Sequence, residues 1–260
     1  MIAIQGASVI IPTFVKSSET LAEAIKTKGI VLGHIKYGDS SIIVRIYTAA
    51  YGQTSFIVKG INAKKSKFKS ALFQALTPLS IEMDYSQKRQ LQYLKEANML
   101  FTPIRIHSDI FRSTIALFMA EVISLAAREE EANQESFDFL LESIKQLDDT
   151  ACNVLSFHIR FLTAYTKHLG FFPHDNYTES KKYFDLREGY FGDIHPAHSD
   201  VLMPPQSEHL SEVLKGGDTV EKLESAQRTE LIDCLLHYYT LHLPGFGHLK
   251  SIYVLREVYR

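Results

Sequence analysis

The side chains with the clearest chemical potential form one lysine-rich run in the first half of the chain. Five lysines fall within eleven residues, and no acidic residue interrupts them. Lysine ammonium groups contact phosphates as point charges and need no fixed geometry, so such a run favours binding of a polyanion without choice of sequence. A solvated loop that only aids solubility is the alternative. The run comprises Lys59, Lys64, Lys65, Lys67 and Lys69.

The charge of the chain is divided unevenly along its length. The whole chain has a formal net charge of -2. Between Lys26 and Arg105, however, thirteen basic residues face only four acidic ones, which gives this block +9 and leaves -10 for the residues from Ile106 onward. The first half is therefore predicted to contact nucleic acid, and the second half is not.

A cation and an aromatic residue also occur together on a predicted strand, 41–48. Arg45 and Tyr47 are two residues apart, so they project to the same face, opposite an apolar set that starts at Ile42. This pairing suits a groove in which bases stack. Further aromatic candidates are Tyr37, Tyr51, Phe68 and Tyr93.

The sequence gives little support for a metal site or a catalytic site. His195 and His198, with His174 and Asp175 in the same irregular stretch, superficially offer zinc ligands, but no cysteine lies nearby and the spacing matches no zinc template. There is also no glycine-rich phosphate loop, nucleophile context or HExxH helix. We expect no metal, no cofactor and no enzymatic activity. A hydrolase or nuclease with a metal in the stretch 172–205 is the alternative.

Composition places the chain in the ordinary globular class. It has 260 residues, of which 45% are hydrophobic and 22% charged. No apolar run reaches the length of a membrane span, and residues 1–7 lack the pattern of a secretory signal. Cys152 and Cys234 are too few for a disulfide framework and lie in apolar helical contexts, which predicts core residues in a reducing compartment.

The lysine run lies among five short segments of alternating hydrophobicity, each bounded by turn residues. A long connection, 62–77, separates the third from the fourth. Five strands with a long third connection predict a small OB-type barrel. An SH3-like barrel or an unrelated five-stranded meander is the alternative. The predicted strands are 29–36, 41–48, 54–59, 79–85 and 91–100.

After Pro103 the period becomes helical, as in the series Phe111, Ile115 and Phe118. Gly170, after two basic residues, marks a helix end. The chain is thus predicted to be an α+β protein, with an N-terminal extension at 1–24, an OB-type DNA-binding barrel at 25–103 and a helical domain at 104–260. The predicted helices are 111–125, 137–147, 154–169, 225–243 and 247–259, and an irregular insert at 172–205 contains a small hairpin near 183–194.

Short motifs distributed along the chain carry a family resemblance. Their order and spacing from about residue 25 to 259 resemble those of the bacterial DNA repair protein RecO family. The motifs are KGIVL at 28–32, YGDSS at 37–41, YG at 51–52, VKG at 58–60, LTPL at 76–79, KHLGF at 167–171 and HLKS at 248–251.

The resemblance implies a recombination mediator of the RecFOR pathway. Such a protein would bind single- and double-stranded DNA, anneal complementary strands and work with RecR. It would help to load RecA onto DNA covered by single-stranded DNA-binding protein (SSB), in the cytoplasm at the nucleoid. Many family members carry a four-cysteine zinc module after the His-Leu-Gly motif. Here the matching stretch 172–205 has no cysteine, so this chain is expected to be metal-free. The extension 1–24 is assigned no function.

Two sets of site residues follow from these interpretations. The acidic, aromatic-ended SSB tail is expected on the helix 154–169, at Arg160, Phe161 and Lys167. Alternatively, Phe161 is core and Arg160 pairs with Glu121 or Glu142. An OB-type module that binds RNA is a further alternative for the whole chain. The predicted DNA-binding residues are Lys26, Lys28, Lys36, Arg45, Tyr47, Lys59, Lys64, Lys65, Lys67 and Lys69.

Overall fold

The first half of the chain folds into a closed five-stranded β-barrel. The computed structural model describes residues 23–61, 66–127, 131–216 and 219–259. The strand order is β1-β2-β3-β5-β4, and β1 closes the barrel by pairing with β4. All pairs are antiparallel except β3 with β5. The OB-type prediction is confirmed. The strands are β1 (Glu23–Tyr37), β2 (Ser41–Thr48), β3 (Gly52–Val58), β4 (Pro78–Tyr85) and β5 (Gln92–Met99).

Alternate side chains along the strands are apolar, point inward and fill the barrel interior. Val44, Ile46 and Phe56 have no exposed surface, and they belong to a core of apolar residues that lies inside the barrel. The turn from β2 to β3 ends at Gly52, whose φ of 58° is left-handed and favours glycine. In the described part of the long connection after β3, a short 3-10 turn forms at Ser70–Phe73.

The second half is helical. The predicted helix end is confirmed, because Gly170 ends α4 in the left-handed conformation. The Asp109 side chain caps α2 by accepting a hydrogen bond from the Arg112 N–H at 2.9 Å. The described helices are α1 (Ile104–Ser108), α2 (Ile110–Ala126), α3 (Gln134–Asp148), α4 (Val154–Leu169), α5 (Gln206–Leu214), α6 (Thr219–Lys222), α7 (Ser225–His242) and α8 (Ser251–Val258).

The irregular insert contains the predicted hairpin and one additional strand. β6 (Tyr183–Asp185) pairs with β7 (Tyr190–Gly192) and with β8 (Val201–Leu202). Asp200 ties this small sheet to the helices, because its carboxylate accepts hydrogen bonds from Arg187 Nε at 2.6 Å and from His237 Nε2 of α7 at 2.9 Å.

The barrel and the helices are joined by a shared core. Ile30, Leu32 and Tyr47 of the barrel strands belong to the same buried apolar cluster as the helical residues. The Tyr47 ring is stacked on Phe137 of α3, with the ring centroids 6.2 Å apart. One end of the barrel surface is therefore covered by the helical region.

Candidate nucleic-acid interface

A row of apolar side chains crosses the outer face of the barrel. Ile35 of β1 pairs with Ile43 of β2, Ile43 pairs with Ile57 of β3, and Ile57 pairs with Tyr93 of β5. Directly paired residues point to the same side of a sheet, so these four side chains form one line, which we call the outer row. Ile35 is 64% exposed and Tyr93 is 44% exposed. The outer row is therefore open to solvent at its two ends, whereas Ile43 and Ile57 between them are half-buried.

Cations surround the Tyr93 end of the outer row. Lys59 Nζ lies 5.9 Å from the centroid of the Tyr93 ring, and the guanidinium carbon of Arg89 lies 5.3 Å from it. Both distances are within the range of a cation–π interaction. Asp84 is the acidic neighbour, at 3.9 Å from both Arg89 and Lys95. Ion pairs this long contribute little, and the Arg89 and Lys95 side chains keep 38% and 42% of their surface exposed.

The loops at one edge of the outer row are close to each other. The Ile61 N–H donates to the Ser40 carbonyl at 2.9 Å, which fixes the segment after β3 to the turn between β1 and β2. Lys36, Tyr37 and Lys59 are exposed where these segments meet, and Tyr37 is 51% exposed. In OB folds the outer face of strands 2 and 3 and its bordering loops bind oligonucleotides.

The opposite edge of the outer row is closed by α2. Arg45 is exposed on β2, and its Nη1 donates to the Ser124 hydroxyl. A cleft of about 220 Å³ lies beside this contact, between Gly33, Ile35 and Arg45. The predicted cation Arg45 thus borders the open face, but it is held by a helix.

Tyr47 does not take the position predicted for it. The ring is only 3% exposed, and burial raises the pKa of its hydroxyl. Tyr47 projects from the same face of β2 as Arg45, but the helical region covers that end of the strand. The prediction that Tyr47 stacks on bases is therefore wrong. Alternation along a strand predicts the face to which a side chain points. It does not predict whether the helical region packs over that part of the strand, because this depends on tertiary structure.

The remaining predicted lysines do not all lie together. Lys26 and Lys28 belong to the part of β1 that pairs with β4, away from the outer row, and Lys26 Nζ lies 3.6 Å from Glu82. Lys67 and Lys69 are exposed after β3. Lys64 and Lys65 lie outside the described residues. The structure therefore brings Lys36, Arg45 and Lys59 to one face and separates Lys26 and Lys28 from it.

Two other aromatic residues that were candidates for base stacking pack against the protein itself. Tyr51 stacks on Tyr85 with centroids 3.9 Å apart, and Phe68 is 8% exposed. The sequence did not identify Ile35, which is exposed, or Ile43 and Ile57, which are half-buried, as residues of this face. Apolar side chains on both faces of β2, such as Ile43 between Ile42 and Val44, were the signal that could have indicated them.

The predicted tail-binding residues of α4 have different environments. Phe161 is 3% exposed and stacks on Phe139 and Tyr165, so it belongs to the core, as the alternative interpretation held. Arg160 Nη2 pairs with Glu221 at 3.3 Å and not with either acid named in that interpretation. Lys167 is exposed in the last turn. Arg160 and Lys167 are seven residues apart and therefore share one face of the helix.

Glu121 and Glu142, the two acids named as alternative partners of Arg160, are engaged elsewhere. Glu142 pairs with Lys145 at 3.1 Å. Glu121 accepts hydrogen bonds from the backbone N–H groups of Lys250 and Ser251 and from the Ser251 hydroxyl. Burial opposes ionisation of Glu121, but these hydrogen bonds outweigh it and lower the pKa of the carboxyl.

The histidines of the insert do not point to one common site. His198 Nε2 lies 3.2 Å from Asp185, while His195 is exposed and contacts the carbonyl of Pro196. Over the described ranges, no group of three or more His, Cys, Asp or Glu side chains is placed to hold a metal ion. No described helix is long and apolar enough to cross a membrane.

The closed barrel with an open, cation-bordered outer row defines a protein of the OB type joined to a helical unit. Comparison with known proteins identifies the family within this class. Residues 23–102 match the model for the N-terminal part of recombination protein O, and residues 107–251 match the model for its C-terminal part.

Relatives from several bacteria agree with the family models. The DNA repair protein RecO of Bacteroides fragilis is 37% identical over 238 residues, which cover 90% of this chain and 98% of the relative. Those of Phocaeicola vulgatus and Flavobacterium psychrophilum are each 35% identical, over 90% of this chain and over 98% and 99% of the relatives. The chain belongs to the RecO family, and this membership supports a role in DNA repair and recombination.

Proposed function

We propose that this chain is a recombination mediator that binds single- and double-stranded DNA and anneals complementary strands. With RecR it helps to load RecA onto SSB-coated DNA at the nucleoid, without catalytic turnover. The observation that carries the DNA-binding part is the set of cations at the open barrel face, the exposed Lys36 and Lys59 together with the half-buried Arg89. Cations on an exposed face neutralise phosphates of either DNA form, and family membership supplies the recombination context.

An annealing assay tests this proposal directly. Complementary SSB-coated oligonucleotides are mixed with the protein in the presence of a chelator, and duplex formation is followed by fluorescence energy transfer. We expect annealing to continue with the chelator and to slow in a variant with Lys59, Lys67 and Lys69 changed to Ala. The control variant changes Lys145, Lys215 and Lys222 of the helical region to Ala. Equal slowing by both variants, or cleavage that needs a divalent ion, would count against the proposal.

The same assay addresses the two alternative functions. A metal-dependent nuclease would lose its activity in the chelator, and nothing among the described residues favours such a site. An RNA-binding module would bind RNA of the same sequence more tightly than DNA. We expect DNA to be bound at least as tightly as RNA.

For the SSB tail we propose that α4 supplies Arg160 and Lys167 as the cations that meet its acidic residues. Phe161 supports this helix from the core. A fluorescent tail peptide titrated against wild type and Arg160→Ala tests the assignment. We expect a loss of about 10-fold to about 150-fold in affinity with an unchanged melting temperature, since removing a charged hydrogen bond costs about 1.5–3 kcal/mol. Unchanged affinity would assign the tail to another surface.

A further inference from the structure

We propose that a cavity between the barrel and the helical region binds a guanidinium group carried on a short apolar stem. The cavity has a volume of about 200 Å³ and is lined by Tyr47 of β2, Ser136 of α3, Tyr165 of α4 and Leu243 after α7. We call it the joint cavity. It lies apart from the outer row, and the inference does not rest on the proposed DNA binding.

An unpartnered hydroxyl lies in the wall of the joint cavity. Tyr165 has no exposed surface, yet its hydroxyl has no hydrogen-bond partner among the described residues. Burial raises the pKa of both Tyr47 and Tyr165, and the nearby Ser136 hydroxyl opposes this effect at both phenols. Buried polar groups are normally hydrogen-bonded, because an unpaired one costs free energy. The three neighbouring hydroxyls therefore have unused capacity for a polar ligand.

The joint cavity is too large for a single water molecule. About 10–15 Å³ is enough space for one water, so about 200 Å³ accommodates a ligand of several non-hydrogen atoms. Part of the wall is apolar and consists of Ala126, Leu169 and Leu243. A ligand that fills the cavity is therefore expected to have a polar group for the hydroxyls and an apolar stem.

The charges at the joint cavity favour a cation. Glu131 contributes a carboxylate to the wall, and no lysine or arginine is among the described lining residues. Burial lowers the pKa of His168, which also lines the cavity, so its imidazole adds no positive charge at neutral pH.

Helix ends add further negative charge. Three helices end at the wall, α2 at Ala126, α4 at Leu169 and α7 directly before Leu243. The C-terminus of a helix carries about half an elementary negative charge. α3 begins at the same wall with the opposite polarity. One helix N-terminus does not cancel three C-termini and the Glu131 carboxylate.

The mixture of acceptors favours a guanidinium over an ammonium. A guanidinium has five N–H donors in one plane, so it can pair with a carboxylate through two hydrogen bonds and still donate to neighbouring hydroxyls. Glu131, Tyr47 and Tyr165 supply such a set. A guanidinium is also more weakly hydrated than an ammonium and stacks on aromatic rings. Free small molecules and arginine side chains of partner proteins share this group.

Matched probes test the ligand chemistry. Ethylguanidine, ethylammonium and the neutral ethylurea are each titrated into the full chain and followed by ligand-observed NMR. We expect saturable binding of one ethylguanidine, weaker binding of ethylammonium and no binding of ethylurea at the same concentrations. Absence of saturable ethylguanidine binding, or equal binding of ethylurea, would overturn the proposal.

Three substitutions test the location. Tyr165→Phe removes the unpartnered hydroxyl and Glu131→Gln removes the charge, and each should weaken ethylguanidine binding by about 10-fold to about 150-fold, as expected for one charged hydrogen bond. Glu142→Gln is the control, because Glu142 pairs with Lys145 on α3 and does not line the cavity. Tyr165→Phe should also leave the melting temperature and the DNA affinity unchanged. If Tyr165→Phe or Glu131→Gln binds ethylguanidine as tightly as wild type, the proposed site is wrong.

A blocked arginine separates the two sources of the guanidinium. N-acetylarginine N-methylamide presents the group as a protein chain does. If it binds more tightly than ethylguanidine, the natural ligand is an arginine of a partner protein. If it is excluded while ethylguanidine binds, the natural ligand is a free small molecule. Both results support the guanidinium site, and Tyr165→Phe should weaken whichever ligand binds.

Discussion

His158 lies within the helical region, fully buried between the rings of Phe118 and Tyr259, whose centroids are 6.4 and 5.3 Å from its own. Burial, together with the nearby Arg228 charge, lowers the pKa of this histidine to about 3. The imidazole is therefore neutral in the folded protein at any pH well above 3, whereas in the unfolded chain it takes up a proton below about 6.5.

This difference predicts a pH dependence of stability. A depressed folded-state pKa contributes stability fully above the unfolded value, and the contribution declines as pH falls from about 6.5 toward 3. We expect the urea midpoint to decrease over this window and to decrease less steeply in His158→Phe. His195→Asn, at an exposed histidine, should retain the wild-type slope. Identical slopes in wild type and His158→Phe would contradict the assignment.

At the scale of elements, the turn of the insert hairpin depends on Gly189. Its φ of 74° is left-handed, and an added Cβ would lie 2.6 Å from the Tyr238 hydroxyl oxygen. Gly170 at the end of α4 has a similar φ of 86° but open space around it. The pair therefore separates the cost of backbone conformation from the cost of a steric clash.

We expect Gly170→Ala to destabilise the protein by about 1–2 kcal/mol, the cost of a left-handed non-glycine residue. Gly189→Ala should cost more, because Tyr238 must also move. Urea unfolding measures both. Combining Gly189→Ala with Tyr238→Phe should cost less than the sum of the single changes, since the clashing oxygen is removed. Strict additivity would show that the clash is relieved in another way.

The insert is also predicted to fold without metal. Its sheet is held by Asp200, whose pKa is lowered by hydrogen bonds from His237 and Arg187. Elemental analysis should find less than about a tenth of an equivalent of zinc, where a structural site would hold a full one. A chelator should leave the melting temperature unchanged, whereas Asp200→Asn should lower it. Stoichiometric zinc whose removal lowers the melting temperature would refute this prediction.

Local signals predicted most of these elements. The strand alternation around Val44 and the helix end at Gly170 depend on neighbours in sequence, so both could be predicted. α1 and α6 were not predicted, because helices of five and four residues carry too little periodicity. α5 was also missed, although its nine residues are more than the eight of the predicted α8. The outer row depends on which part of the barrel the helices leave uncovered. Its position, like the burial of Tyr47, follows only from the packed structure.

For the molecule as a whole, DNA affinity should depend strongly on salt. If about four to six phosphates of a single strand are neutralised, the logarithm of affinity should fall with the logarithm of salt concentration at a slope of about -3 to -4. The Lys59, Lys67 and Lys69 alanine variant should reduce this slope by about 2, and the three helical-region lysine changes should leave it unaltered. Fluorescence anisotropy at several salt concentrations provides the measurement. A slope near zero in wild type would exclude electrostatic binding.

The core shared between the barrel and the helices has a consequence for how the chain can be divided. A cut near residue 103 would expose Leu32 and Tyr47, which are buried under the helical region. We therefore expect the barrel and the helices to unfold together, so calorimetry of the intact chain should show one transition rather than two. A shortened barrel would associate through the uncovered patch. Its DNA affinity would then describe an aggregate and not the intact chain.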